Sequence, residues 1–220
     1  MTTTVKLNSR NKTAVRDKAL VSILQGEVVV VAAEFGYFFL CDAFNQMAVS
    51  RLHEIRGDAP GTAAQVLVGS VTAVSGLAAD FDSDWQKVVT AFWPGLLTVQ
   101  LAPQRALNWD LGDGRQLGEF AVRVPDRAFL LSLLTKTGPL AAASAALAGQ
   151  SPSRQIDDIP VAPTEIGLIV DEGELETGPA STVLRRKVIG SSGGIEVVRE
   201  GAISMDELLA VLPTISSAKG

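Results

Sequence analysis

The sequence predicts one layered α/β domain, and three observations support this prediction. Segments with strand-like and helix-like patterns alternate along most of the chain, which is typical of a sheet covered by helices. Residues 28–31 read VVVV, a β-branched run that is apolar on both faces, as in a central strand flanked by helices. The chain has 220 residues, of which 47% are hydrophobic, so it can bury a sizeable core in one domain.

Five helices are predicted from apolar residues at helical spacing and from signals at the helix ends. Gly26 can end the first helix, Asp82 or Ser83 can cap the third, and Ser204 with Glu207 forms a capping-box pattern before the last. The predicted helices cover residues 14–25, 44–56, 83–92, 126–136 and 205–212.

Eight strands are predicted from short apolar runs between turn residues. They cover residues 28–31, 65–69, 96–102, 119–124, 140–143, 166–170, 181–189 and 195–199. The Gly-rich residues 112–118 predict a hairpin loop, and residues 150–164 predict a loop rich in proline and serine. We expect one domain over residues 1–220, with its core at about 12–212 and flexible tails at both ends.

Composition excludes several kinds of site. Cys41 is the only cysteine and His53 the only histidine, so an intramolecular disulfide and a cysteine-based zinc site are excluded. Cys41 has apolar neighbours and is expected in the core, whereas His53 is expected on the solvated surface. The sequence has no Walker-type phosphate loop. We therefore predict no metal site and assign no catalytic residue.

Charge and hydropathy predict a soluble, cytoplasmic protein without a membrane partner. The N-terminal segment is polar and lacks the apolar core of a signal peptide, and the apolar runs are too short to cross a bilayer. The formal net charge is -5. A net negative charge of the whole chain argues against nonspecific wrapping of nucleic acid, but it is compatible with one local basic groove.

Six polar side chains follow or end predicted strands and helices, where ligands collect in open α/β sheets. Surface solvation or capping would explain the same positions without a ligand, so both interpretations remain open. The six candidates are Arg56, Arg123, Ser144, Ser151, Ser181 and Arg199.

Five motifs in series resemble the YrdC/TsaC family, the threonylcarbamoyl-AMP synthases. They read FWPGLLTVQL at 92–101, FAVRVPD at 120–126, GPLAAASAALAGQSP at 138–152, STVL at 181–184 and VVREGAIS at 197–204. The resemblance covers roughly residues 12–212 and implies a twisted mixed sheet with helices on both faces and a concave, positively charged groove.

The resemblance implies a nucleotidyltransferase that joins L-threonine, bicarbonate and ATP, with magnesium, into threonylcarbamoyl-AMP and pyrophosphate. The product serves the modification of tRNA, and family members are also described as binding double-stranded RNA. Carried over residue by residue, the nucleotide contacts fall on Arg56, Ser144, Ser151 and Arg199. The threonine contacts fall on Arg123 and Ser181.

Several family positions are changed in this chain. The first signature, of the form PTETVYGLACDA, falls on AAEFGYFFLCDA at 32–43, which makes its polar lip apolar at Ala33, Phe35 and Phe38. The phosphate-gripping Lys-x-Arg falls on residues 56–58, so that Asp58 stands in place of the second cation. A carboxylate about 5 Å from a phosphate charge would cost roughly 3 kcal/mol.

Two further changes concern the nucleotide contacts implied by the family. Glu119 stands four residues before Arg123, at a position that is commonly a threonine beside ATP, and adds a second negative charge. Ala146 replaces the asparagine of the SAN triplet, which removes an amide. Each lost ligand hydrogen bond would cost about 1–3 kcal/mol if its partner stays buried.

A basic cluster follows the STV motif and is a candidate for RNA phosphates, although a solvated strand end would have the same composition. The cluster consists of Arg185, Arg186 and Lys187.

Three functions follow from these observations. The substitutions favour a nucleotide- or double-stranded-RNA-binding protein that is related to tRNA threonylcarbamoyladenosine formation and has impaired or altered catalysis. The second is an active threonylcarbamoyl-AMP synthase. The third is a structural partner whose groove mouth, at Phe35, Phe38 and Phe39, is covered by another protein.

Overall fold

One mixed sheet organises the chain. The structure is a computed structural model and describes residues 2–116, 118–160, 166–187 and 193–218. The strands of these residues are β1 (Thr3–Lys6), β2 (Val29–Ala32), β3 (Tyr37–Asp42), β4 (Gln65–Leu67), β5 (Leu97–Leu101), β6 (Phe120–Arg123), β7 (Leu140–Ser144), β8 (Leu168–Asp171), β9 (Thr182–Arg186), β10 (Ile195–Arg199) and β11 (Ser216–Ser217). Their order in the sheet is β1-β8-β2-β3-β7-β4-β6-β5-β9-β10-β11.

The sheet contains both parallel and antiparallel strand pairs. The pairs β1/β8, β2/β8, β4/β6, β5/β9 and β10/β11 are parallel. The pairs β2/β3, β3/β7, β4/β7, β5/β6 and β9/β10 are antiparallel. The predicted mixed sheet is therefore confirmed.

Helices cover both faces of the sheet. They are α1 (Lys12–Leu24), α2 (Gln46–Arg56), α3 (Val71–Ser75), α4 (Ser83–Phe92), α5 (Ala128–Thr137) and α6 (Met205–Val211). The buried faces of α1 and α5 share one apolar cluster with β2 and β8, while α2, α4 and α6 contribute to the larger cluster on the opposite face. This arrangement confirms the predicted three layers, and the fully apolar β2 lies between two of them.

Local signals place the helix ends where the sequence predicts them. Asp82 accepts hydrogen bonds from the backbone of Asp84 and Trp85 at the start of α4. Ser204 and Glu207 form the reciprocal capping box of α6.

Cys41 lies fully buried in β3, and desolvation by burial, followed by the Asp42 charge, raises the pKa of its thiol to about 12. Its predicted core position is confirmed.

Parts of both segments that were expected to be flexible tails lie in edge strands within the described residues, and their flexibility stays a prediction. Thr3–Lys6 pairs with β8 as an edge strand, and Ser216–Ser217 pairs with β10 at the opposite edge. The strand predicted at 181–189 ends at Arg186, and residues 188–189 lie outside the described residues, as do residues 161–164 of the predicted 150–164 loop. The Gly-rich residues 112–118 belong to the connection between antiparallel β5 and β6, as predicted.

Candidate active site

A cavity of about 700 Å³ opens beside the central strands, within the usual size range of small-molecule sites. All six candidates from the strand ends line it, so the structure brings together residues that span positions 56 to 199. Their individual roles toward nucleotide or threonine stay predictions. The polar and charged side chains of the cavity are Glu34, Arg56, Gln65, Arg123, Ser144, Gln150, Ser151, Arg154, Thr177, Ser181 and Arg199.

The cavity is strongly cationic. Four guanidinium groups line it, and Glu34 is the one carboxylate among the described lining residues. The whole chain is acidic, so this concentration of arginine is local. It matches the local basic groove that the composition left possible and the positively charged groove that the family resemblance implies.

Arg56 is held in place at the end of α2 by several acceptors. Its Nε donates to both carboxylate oxygens of Asp58, at 3.2 and 3.0 Å. Its Nη1 donates to the backbone carbonyl of Ser144 and, at 3.2 Å, to that of Ala146. Gly57 ends the helix in the left-handed conformation (φ 66°). The turn at Gly57 allows the Asp58 side chain to contact Arg56.

Asp58 does not line the cavity. Its side chain is only 6% exposed and lies between Arg56 and His53, whose Nδ1 is 2.8 Å from Asp58 Oδ2. The carboxylate is paired with a cation that lines the site, which opposes the predicted repulsion of a phosphate by Asp58, and that repulsion stays a prediction. The expected solvated position of His53 is also wrong, since its side chain is 13% exposed and contacts the Leu111 carbonyl.

Three further changed positions, Glu119, Ala33 and Ala146, are absent from the described cavity lining. Glu119 is absent from the described lining and interacts with Arg185, Asp80 and Glu196, while burial raises the pKa of its carboxyl. Glu119 therefore does not line the described cavity, and its effect on a nucleotide stays a prediction. Ala33 packs in the core, and Ala146 is buried and gives its carbonyl to Arg56.

Arg123 forms a buried ion pair with Glu34 inside the cavity. The two side chains are 4% and 10% exposed, and Nη2 of Arg123 lies 3.1 Å from Oε2 of Glu34. Desolvation by burial lowers the pKa of Arg123, and the Glu34 charge opposes this shift. The Nε of Arg123 is buried without a hydrogen-bond partner among the described residues. Such an orphaned donor suits an additional acceptor supplied by water or ligand.

Polar contacts connect Ser181 to neighbouring strands. Ser181 Oγ lies 2.9 Å from Thr98 Oγ1, which accepts a hydrogen bond from Gln65 at 3.0 Å. Arg199 donates to the carbonyl of Ser181 at 2.9 Å and to its Oγ at 3.3 Å. Two predicted site residues, Ser181 and Arg199, are therefore hydrogen-bonded to each other.

Arg154 is a cavity residue that the sequence analysis missed. It lies in the loop after Ser151 and is held by the Leu175 carbonyl at 2.7 Å and by Glu174 at 2.9 Å. Its proximity to Ser151 in the sequence was the available signal, but a loop does not reveal the direction of a side chain. Arg154 supplies a fourth guanidinium to the site.

Fewer phenylalanine side chains line the cavity than expected. Phe35 and Phe38 line the cavity, but Phe39 is fully buried in the core, so the expected role of Phe39 at the mouth is wrong. The Phe35 ring lies so close to Gly178 that no Cβ would fit there. The Phe38 ring lies 5.9 Å from the guanidinium carbon of Arg123, a cation–π contact.

Two of the three residues in the basic cluster after the STV motif are paired with carboxylates. Arg185 pairs with Glu196 at 2.7 Å, and Arg186 pairs with Asp82 at 2.6 Å while lying over the Trp85 ring. The remaining member, Lys187, donates its backbone N–H to the Gly194 carbonyl. None of the three lines the cavity.

Two kinds of feature are absent from the described residues. No group of three or more histidine, cysteine, aspartate or glutamate residues is arranged to hold a metal ion among them. Within the same part of the chain, none of the helices combines the length and the apolarity needed to span a membrane.

Comparison with known proteins identifies the family that the fold and the site indicate. The sequence model of the Sua5/YciO/YrdC family, described as telomere recombination, matches residues 22–201. The chain therefore belongs to the Sua5/YciO/YrdC family, which confirms the resemblance found in its motifs.

Relatives and solved structures agree with this assignment. Threonylcarbamoyl-AMP synthase of Bacillus subtilis is 30% identical over 207 residues, which are 92% of this chain and 58% of the relative. A Mycobacterium tuberculosis protein with the provisional name threonylcarbamoyl-AMP synthase is 30% identical over 195 residues, with 88% and 87% of the two chains covered.

The fold is shared with two solved family members. Pyrococcus abyssi Sua5, in complex with L-threonine, superposes with a TM-score of 0.84 at 24% identity over 99% of this chain and 62% of its own. Escherichia coli YciO superposes with a TM-score of 0.76 at 20% identity over 95% and 99% of the two chains. The chain thus spans less than two thirds of the Sua5 protein but nearly all of YciO.

Proposed function

We propose that the chain binds a nucleoside triphosphate, with ATP the leading candidate, beside a small carboxylate-bearing acceptor in this cavity. Its chemistry is related to tRNA threonylcarbamoyladenosine formation, with an acceptor subsite altered from that for threonine. The observation that carries the proposal is the convergence of Arg56, Arg123, Arg154 and Arg199 on one cavity whose single described carboxylate is already paired.

Two lining arginines, Arg199 and Arg154, support the binding of a polyphosphate because their charges are not fully compensated by carboxylates. Arg199 contacts only neutral oxygen atoms of Ser181 in the described hydrogen bonds. Arg154 shares its charge with Glu174, which is 57% exposed and screened by solvent. Guanidinium groups bind phosphate oxygens with two parallel hydrogen bonds. These arginines can therefore offset the charge that shifts along a triphosphate during adenylyl transfer.

Arg123 and its surroundings support the binding of the carboxylate-bearing acceptor. The buried Arg123 guanidinium lines the same cavity as Ser181 and suits a carboxylate. The Phe35 and Phe38 rings of this cavity offer no hydrogen bond to a side-chain hydroxyl. Ala33, at the family's threonine-binding position, lies in the core. The acceptor subsite therefore favours a carboxylate with an apolar side chain over threonine.

Magnesium would be held at this site by the phosphates of the nucleotide and not by the carboxylate of the lining. Glu34, the carboxylate of the described lining, is held by Arg123 and by the backbone N–H of Asp126 at 2.8 Å. Magnesium commonly keeps several waters and binds through substrate phosphates. The residues present would thus hold the phosphates, and the metal would supply charge neutralisation between them.

An unaltered threonylcarbamoyl-AMP synthase is the second candidate. The observation that favours it is the polar series Gln65–Thr98–Ser181, which lies at the cavity and offers hydroxyl and amide groups to an acceptor. Double-stranded RNA receives less support because Arg185 and Arg186 are each paired with a carboxylate.

Paired threonine and valine substrates separate the two candidates. We expect titration calorimetry to show one ATP·Mg site with a micromolar dissociation constant. Threonine and valine have nearly equal volumes, so a site without a hydroxyl partner cannot discriminate strongly against valine, whereas a site built for the hydroxyl discriminates by about 10⁴-fold. We expect bicarbonate-dependent pyrophosphate release with valine to lie within about tenfold of that with threonine.

Three results would decide against parts of this proposal. Strong discrimination in favour of threonine would support the unaltered synthase. Nucleotide binding without turnover would leave a binding protein with impaired catalysis. No binding of ATP at millimolar concentration would contradict the proposed nucleotide site itself.

A further inference from the structure

We propose that Asp58 and His53 are positioning residues that orient Arg56 toward the nucleotide, and that His53 does so as a doubly protonated imidazolium. This inference rests on the proposed nucleotide function of the cavity. It assigns a role to the only histidine in the chain and to a carboxylate that replaces a cation of the family motif.

The contacts form a continuous chain that leads into the cavity. His53 Nε2 lies 2.8 Å from the Leu111 carbonyl oxygen, and His53 Nδ1 lies 2.8 Å from Asp58 Oδ2. Asp58 accepts from Arg56 Nε through both of its oxygens, and Arg56 lines the cavity. The side chains of His53, Asp58 and Arg56 are 13%, 6% and 13% exposed.

The acceptors around the ring support the proposed protonation state. A carbonyl oxygen can only accept, so Nε2 must carry a hydrogen to bond with Leu111. Both oxygens of Asp58 already accept from Arg56, which favours an ionised carboxylate. Nδ1 must then also carry a hydrogen. Both ring nitrogens are donors only in the imidazolium form.

Close packing keeps the ring in this orientation. Gly112 lies so near His53 that a Cβ there would collide with the ring, and the Thr62 carbonyl lies on the same side. The charged groups in the described contacts of His53 are Asp58, which bonds to it directly, and Arg56 beyond it.

The consequence for ligand binding is preorganisation. A free arginine loses much rotamer freedom when it binds a phosphate, whereas Arg56 is already fixed by Asp58 and by the Ser144 and Ala146 carbonyls. In the proposed arrangement, the negative charge of Asp58 lies between the imidazolium of His53 and the guanidinium of Arg56. Its field at the cavity is therefore largely cancelled.

The variant Asp58→Asn tests the arrangement because it keeps the shape but removes the charge. The amide can still accept from Arg56 through its oxygen, while its N–H₂ group would face Nδ1. We expect the ring to change from imidazolium to the neutral tautomer with hydrogen on Nε2. Long-range ¹⁵N–¹H NMR at neutral pH detects this change without assignment ambiguity, because the chain has one histidine.

Nucleotide affinity provides the functional readout. We expect Asp58→Asn to raise the ATP dissociation constant about three- to tenfold, the effect of weakening one charge-assisted hydrogen bond. Asp84→Asn makes the same charge change at an exposed site paired with Lys87 and is expected to leave affinity unchanged. His53→Gln, which cannot donate on both sides, is the second variant and is expected to weaken ATP binding by a similar factor.

The outcomes separate this inference from the proposed function. A neutral ring in the wild-type protein, or unchanged ATP affinity in folded Asp58→Asn and His53→Gln proteins, would overturn the positioning role. Failure of the wild-type protein to bind ATP would overturn the proposed function, while the ring spectrum would still judge the His53–Asp58 arrangement.

Discussion

Replacing Glu34 with alanine is expected to lower the free energy of unfolding by about 3–5 kcal/mol. Glu34 is the carboxylate partner of Arg123, and the two side chains are 10% and 4% exposed. Removing it leaves a buried guanidinium without a counter-charge and the Asp126 backbone N–H without its acceptor. The desolvation of Arg123 is then uncompensated, which is the costly way to break a buried pair. Equilibrium urea unfolding measures the change.

The matched control for this variant is Glu174→Ala at the same cavity. Glu174 pairs with Arg154, but their side chains are 57% and 38% exposed, and exposed ion pairs contribute about 0–1 kcal/mol. A Glu34→Ala protein as stable as Glu174→Ala would show that Arg123 is not buried in the folded protein and would contradict the described geometry of the acceptor end.

Replacing Arg56 with glutamine is expected to raise the ATP dissociation constant by about 10- to 100-fold. A hydrogen bond to a charged group is worth roughly 1.5–3 kcal/mol, and each 1.4 kcal/mol corresponds to about one factor of ten. The change also leaves Asp58 without the guanidinium that shields it. Two effects therefore act in the same direction, and titration calorimetry at fixed ionic strength measures their sum.

Arg51→Gln is the matched control because Arg51 lies on the same helix, α2, and is exposed. It changes the same charge without touching the cavity lining. We expect its ATP affinity to match that of the wild-type protein. Equal weakening by Arg51→Gln and Arg56→Gln would indicate a diffuse charge effect and would contradict direct binding at the cavity.

The sequence predicted the strands of the sheet interior except β3 (Tyr37–Asp42), and it missed both edge strands. β2 and α4 have strong local patterns, so periodicity and capping identified them. β1 and β11 are short and mostly exposed, and they are strands only because β8 and β10 offer open edges to them. Pairing between distant segments leaves no local pattern in such short sequences.

The candidate site shows the same limit at the level of single side chains. Strand-end position and family motifs identified six lining residues, but the motif position of Asp58 suggested a repulsive charge. Its real surroundings depend on His53, one helical turn before Arg56, and on Leu111, 58 residues away from His53 in the sequence. Arg154 was missed because loop side chains take their direction from distant partners, here Glu174 and Leu175.

The most direct test of the account is an ATP titration of the wild-type protein beside Asp58→Arg, which restores the cation that the family motif places there. If Asp58 supports Arg56, the wild-type protein binds ATP and Asp58→Arg binds it at least about tenfold more weakly, because two guanidiniums then repel each other where an ion pair stood. A wild-type protein that fails to bind ATP, together with an Asp58→Arg protein that binds it, would contradict the account.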